Sequence, residues 1–76
     1  MTLEQAKQKL ISEINPKKIE SCKDYGQQYL FTAFITDDPS NEIDPFYLVN
    51  KTTGKVTPYT IAEDPDKYYS ARELLR

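Results

Sequence analysis

Apolar residues recur at helical spacing near the start of the chain. Leu3, Ala6, Leu10 and Ile14 follow one another every three or four positions, with Ile11 beside them, while Glu4, Lys7, Gln8, Lys9 and Glu13 fall mostly on the other side. This spacing predicts an amphipathic helix with one face turned to a core. Thr2 and Gln5 have the separation of a capping box, in which a hydroxyl and an amide each satisfy a free backbone N–H at a helix start. Pro16 disfavours helical geometry at the residue before it, so the helix is expected to end at Asn15.

After Pro16 the pattern changes to the period of strands. Residues 18–23 pair Ile19 and Ser21 against polar Glu20 and read as a short, edge-like strand whose charges discourage unwanted pairing. Asp24-Tyr25-Gly26 supplies a hairpin turn, with Gly26 able to take positive φ. Residues 28–36 (Gln-Tyr-Leu-Phe-Thr-Ala-Phe-Ile-Thr) are rich in aromatic and β-branched side chains, with apolar groups on both faces. They predict a central strand, covered by helix on one face and partly covered on the other. Residues 37–45 hold two prolines and four carboxylates and read as a loop. Phe46–Asn50 and Lys55–Thr60 predict two further strands joined by Lys51-Thr52-Thr53-Gly54, with Gly54 in the left-handed position of the turn. Pro58 cannot donate to a ladder, which places the fourth strand at an edge. Asp64 followed by Pro65 marks the cap and first position of a second helix, with Tyr68, Ala71, Leu74 and Leu75 as its apolar stripe. The expected order is α-β-β-β-β-α: an α+β fold with an antiparallel sheet and helices mainly on one face. Residues 1–76 form a single domain.

Composition narrows the chemistry. The 76 residues include no histidine, no tryptophan and one cysteine. Nucleophile systems built on histidine, imidazole metal sites, an internal disulfide and a thiolate zinc site are therefore all out of reach. A chain this short also struggles to enclose a substrate cavity while keeping a core, so no enzymatic activity and no cofactor are expected. The N-terminal residues lack the apolar stretch of about 7–15 residues that marks a signal peptide, and no run approaches a membrane span. The expectation is a cytoplasmic protein with no membrane association, in which Cys22 is a reduced thiol acting as a small buried hydrophobe. Asn50-Lys51-Thr52 has the form of a glycosylation sequon, read here as turn chemistry.

The net charge of −2 conceals an uneven distribution. Residues 24–50 hold Asp24, Asp37, Asp38, Glu42 and Asp44 with no basic residue, a local −5, between two slightly basic ends. Calcium coordination is disfavoured, because the acids fall at 37, 38, 42 and 44 with Pro39 between them and no central glycine. Six tyrosines and three phenylalanines raise base stacking. The most aromatic strands flank the most acidic loop, however, so the electropositive groove that phosphates need is missing and nucleic acid is disfavoured as a partner. A solvated loop kept soluble by like charges is the plainest reading. The sharper one is a surface that meets a basic patch on another protein, where complementary charge raises on-rate and specificity.

Residues 44–56, Asp-Pro-Phe-Tyr-Leu-Val-Asn-Lys-Thr-Thr-Gly-Lys-Val, carry a resemblance. This hairpin resembles that of the small immunity-protein family that includes the YrhB-type proteins, in which a leading helix and an aromatic strand precede the hairpin and a short helix follows. Its tyrosine-x-valine-asparagine…threonine-glycine-x-valine core is also similar to the PepSY domain, whose members are usually exported. Small proteins of Gram-positive bacteria and their phages look similar as well. The resemblance implies a non-catalytic inhibitory or partner-binding role. Together these readings point to a protein-interaction module of bacterial or phage origin, of inhibitor or immunity type. Its expected contact surface comprises Asp37, Asp38, Glu42 and Asp44 with the adjacent strand edge, and Tyr47 and Tyr59 serve as aromatic anchors. Two alternatives stand beside it: an assembly role through homo-oligomerisation, such as a homodimer joined at an exposed strand edge, and nucleic-acid binding.

Overall fold

A computed structural model describes residues 1–37 and 44–75. Helix α1 (Leu3–Ile14) is followed by strands β1 (Lys18–Tyr25), β2 (Gln28–Phe34), β3 (Phe46–Asn50) and β4 (Val56–Tyr59). A 3₁₀ turn (Ile61–Glu63), helix α2 (Pro65–Ser70) and strand β5 (Arg72–Leu75) complete the chain. All five strands lie in one antiparallel sheet of order β4-β3-β2-β1-β5. The α+β class and the antiparallel sheet are as expected from the sequence.

Local signals account for most element boundaries. Thr2 accepts from the Gln5 backbone N–H while the Gln5 side chain accepts from the Thr2 backbone, the reciprocal capping box. Asn15 ends α1 in the left-handed region at φ 47°, ψ 59°, donating to the Ile11 carbonyl, and Pro16 follows. In the β3–β4 hairpin the Asn50 side-chain oxygen accepts from the Thr52 and Thr53 backbones, at 2.8 and 3.0 Å. The sequon-like triplet is thus turn chemistry. Gly54 sits at φ +76° and Gly26, in the β1–β2 turn, at φ +70°.

The two faces of the sheet are different environments. On the first, α1 buries Ala6 and Leu10 completely against Cys22, Phe31, Ala33 and Val49, with Leu3, Ile14, Ile19, Tyr29, Tyr47, Val56 and Leu74 packed around them. Burying Phe31 alone contributes about 1.5–3 kcal/mol. On the second face lie Lys23, Tyr25, Leu30, Thr32, Phe46 and Tyr59, as the cross-strand partners Lys23↔Leu30, Thr32↔Phe46 and Phe46↔Tyr59 require. Most of the helical cover is α1 on the first face, and the six-residue α2 crosses the second. The Tyr68 ring of α2 meets Phe46 edge-on at 5.6 Å, and its carbonyl accepts from the Lys23 ammonium at 2.8 Å. β2 is therefore the central strand with helix on one face and partial cover on the other, as its sequence predicts.

The end of the chain differs from expectation. Leu74 and Leu75 extend no helix; residues 72–75 turn back as β5 and pair with β1, in register Asp24↔Arg72, Lys23↔Glu73 and Cys22↔Leu75. Consequently β1 is an interior strand, two residues longer than predicted, and not an edge. The reason is tertiary. β1 carries the fully buried Cys22, and pairing both of its sides satisfies backbone groups beside that core. β2 stops at Phe34 rather than Thr36, where its carbonyl accepts from the Lys17 backbone. β4 spans Val56–Tyr59 at the edge, as Pro58 requires.

Candidate functional site

Among the expected surface residues, the structure brings Asp44 and Tyr59 together. β3 and β4 pair through Phe46↔Tyr59, which sets Tyr59 at the end of the sheet from which Asp44 leads into β3. Thr60 follows β4, opens the 3₁₀ turn with its side chain accepting from the Ala62 backbone, and donates through Oγ1 to Asp44 Oδ1 at 3.2 Å. That turn carries Glu63 back toward the same spot. Asp44, Pro58, Tyr59, Thr60 and Glu63 line a surface depression of about 280 Å³. The residues that line it are thus two acids, a tyrosine, a proline and a threonine.

The tyrosine wall is fixed from behind. The Tyr59 hydroxyl lies 3.2 Å from that of Tyr25, and the rings meet edge-on at 5.6 Å. Tyr25 is buried, and desolvation, with the Tyr59 hydroxyl second, raises its pKa above that of an ordinary phenol. Lys67 of α2 sits 4.6 Å from the Tyr25 ring centre, and Lys23 sits 3.9 Å from that of Tyr68. The back of the depression thus belongs to an aromatic and lysine layer that ties α2 to the sheet. Tyr69 extends that layer outward and is 73% exposed.

The other expected residues are placed differently. Asp37 is exposed just beyond β2, while Asp38 and Glu42 lie outside the described residues. Tyr47 is half-buried and packs against the α1 core, on the face opposite Tyr59. Successive residues of a strand point to opposite faces, so Phe46 takes the aromatic position beside Tyr59. Asp24 belongs to another network: Lys51 donates to it at 2.8 Å and, with the Gly26 backbone, holds its carboxyl below the usual range. Cys22 is fully buried, and desolvation, with Glu73 and then Asp24 adding to it, pushes its thiol up to about 12.

Glu63 and Thr60 were not singled out by charge counting, because Glu63 lies in a segment whose lysines and arginines mask it. The signal was present as Thr60-Ile61-Ala62-Glu63, a Thr-x-x-Glu cap spacing. Among the described residues, no group of three or more carboxylates or thiols is placed to hold a metal ion, and no helix is long and apolar enough to cross a membrane. No protein-family model, curated protein or solved structure matches the chain.

Proposed function

We propose that the protein is a non-catalytic interaction module that binds a partner protein by receiving a lysine or arginine side chain in the depression formed by Asp44, Tyr59 and Glu63. The observation that carries this reading is that two acidic residues, Asp44 and Glu63, line one depression beside the aromatic Tyr59. A cation there gains charge-assisted hydrogen bonds from the carboxylates and attraction from the ring face. Tyr59 is held by Tyr25 and Asp44 by Thr60, so little ordering is left for the moment of binding. The net charge of −5 over residues 24–50 speeds encounter with a basic surface. An inhibitor or immunity protein working in a bacterial cytoplasm fits this description.

The test is affinity capture from the native cell with the wild type and with the Asp44→Lys/Glu63→Lys double variant, both checked for unchanged circular dichroism. A stoichiometric protein is expected with the wild type, reduced at least tenfold with the variant and released by salt. Capture of no such protein, or its full retention by the variant, overturns the reading.

A further inference from the structure

The residues that follow α2 are strong helix formers without exception: Ala71, Arg72, Glu73, Leu74 and Leu75. No glycine or proline separates them from Ser70. α2 nevertheless stops at Ser70, Ala71 turns extended at φ −68°, ψ 144°, and residues 72–75 lie as β5. A segment whose intrinsic preference opposes its conformation is held by its tertiary partner and not by local structure. That partner is β1: Leu74 packs against the core cluster that includes Cys22, and the charges on the facing positions are complementary. Arg72 stands opposite Asp24 and Glu73 opposite Lys23, opposite charges on directly facing positions. Arg72 is close enough to contribute to the lowered pKa of Asp24. The ladder itself is irregular, with a register shift between Cys22 and Lys23.

We propose that β5 is an exchangeable strand. In the open form residues 71–75 leave β1 for the helical conformation they prefer, which vacates its edge, and they become extended again only on pairing with a β1 edge. That edge then accepts β5 from a second copy of the chain, and the reciprocal exchange closes a two-fold dimer. The occupant is a second copy because the edge presents Lys23 and Asp24 in the order that Glu73 and Arg72 complement. The exchanged contacts are those already made within one chain, so the balance between monomer and dimer rests on the hinge at Ala71 and on concentration. The exchange uses the sheet edge remote from Asp44, Tyr59 and Glu63, and it stands or falls separately from the proposed partner site.

Two charge-reversed chains test it. Asp24→Arg and Arg72→Asp each place like charges opposite one another within a single chain. In a mixed exchanged dimer the reversed β1 of one chain meets the reversed β5 of the other, and the remaining pair is native. Native mass spectrometry of a one-to-one mixture is expected to show a heterodimer in at least tenfold excess over either homodimer. Amide hydrogen exchange of residues 72–74 should slow at least tenfold relative to each variant alone. A mixture that stays monomeric, with exchange unchanged, overturns the proposal. Should Asp24→Arg fail to fold, wild-type chain with and without nitrogen-15 labelling is mixed at millimolar concentration in mild denaturant. Dimers of mixed mass are then expected, and their absence overturns the proposal equally.

Discussion

Cys22 illustrates how position sets the chemistry of a single atom. Lys23 adjoins it in sequence, and a neighbouring ammonium favours a thiolate. In the strand, however, the two side chains leave by opposite faces, and Lys23 is occupied by Tyr68. Cys22 is left with a desolvated site near Glu73, and its thiol rises from 9.0 to about 12. The consequence for stability has a definite sign. Below pH 9 the thiol is protonated in both folded and unfolded chains. Above pH 9 the unfolded chain loses the proton while the folded one keeps it, so stability falls progressively until the folded thiol itself ionises near 12. In urea unfolding between pH 8 and pH 10 the thiol should contribute a loss of about 1.4 kcal/mol, the cost of one pH unit above the unfolded pKa, and the raised Tyr25 phenol adds a smaller loss of the same sign. Cys22→Ala lowers stability at both pH values but removes this alkaline increment. An alkaline loss undiminished by the substitution would assign the whole of it to another group.

At the scale of elements, the two glycines separate backbone strain from crowding. Both occupy the left-handed region, at φ +70° for Gly26 and +76° for Gly54. An added Cβ at Gly26 meets nothing within 4 Å, whereas at Gly54 it comes within 3.0 Å of the Met1 side-chain tip. That tip moves easily, so the backbone conformation dominates at both positions. Gly26→Ala and Gly54→Ala should each cost about 1–2 kcal/mol in chemical denaturation. A much larger loss at Gly54 alone would show that its surroundings are rigid. Both turns were legible because turn chemistry is local: Asn50, Gly54 and Gly26 act within a few residues of themselves. The capping box of α1 was legible for the same reason. β5 was not, because Ala71–Leu75 read as helix by every local measure and only pairing along β1 draws them into the sheet.

For the whole molecule, the core on one side of the sheet determines whether either proposed surface exists. Phe31 is completely buried among α1, β1 and β3 side chains, at the centre of a domain with little reserve. Phe31→Ala should cost about 3–5 kcal/mol. In a domain of this size that is enough to unfold a large fraction of the chain at room temperature, read as lost near-ultraviolet dichroism. Retention of a cooperative transition within about 1 kcal/mol of the wild type would mean that the site collapses to fill the space. The second face is held together differently, by Tyr25, Phe46, Tyr59 and Tyr68 with two lysines over their rings, and it supports the wall of the acidic depression.

The sequence by itself determined the elements governed by neighbouring residues: α1 with its caps, the two hairpins, the central position of β2, the edge position of β4 and the start of α2. It also excluded histidine-based chemistry and showed where the acidic residues concentrate. Tertiary structure alone decided which side chains meet. It separated Tyr47 from Tyr59 by the alternation of a strand, set Asp44 and Glu63 on one depression through the 3₁₀ turn after β4, and spent Asp24 on Lys51. It also turned a helix-forming tail into the fifth strand. Periodicity and capping act over three or four residues, whereas pairing across a sheet joins residues some fifty positions apart, and backbone groups beside a buried core must be satisfied whatever the local preference.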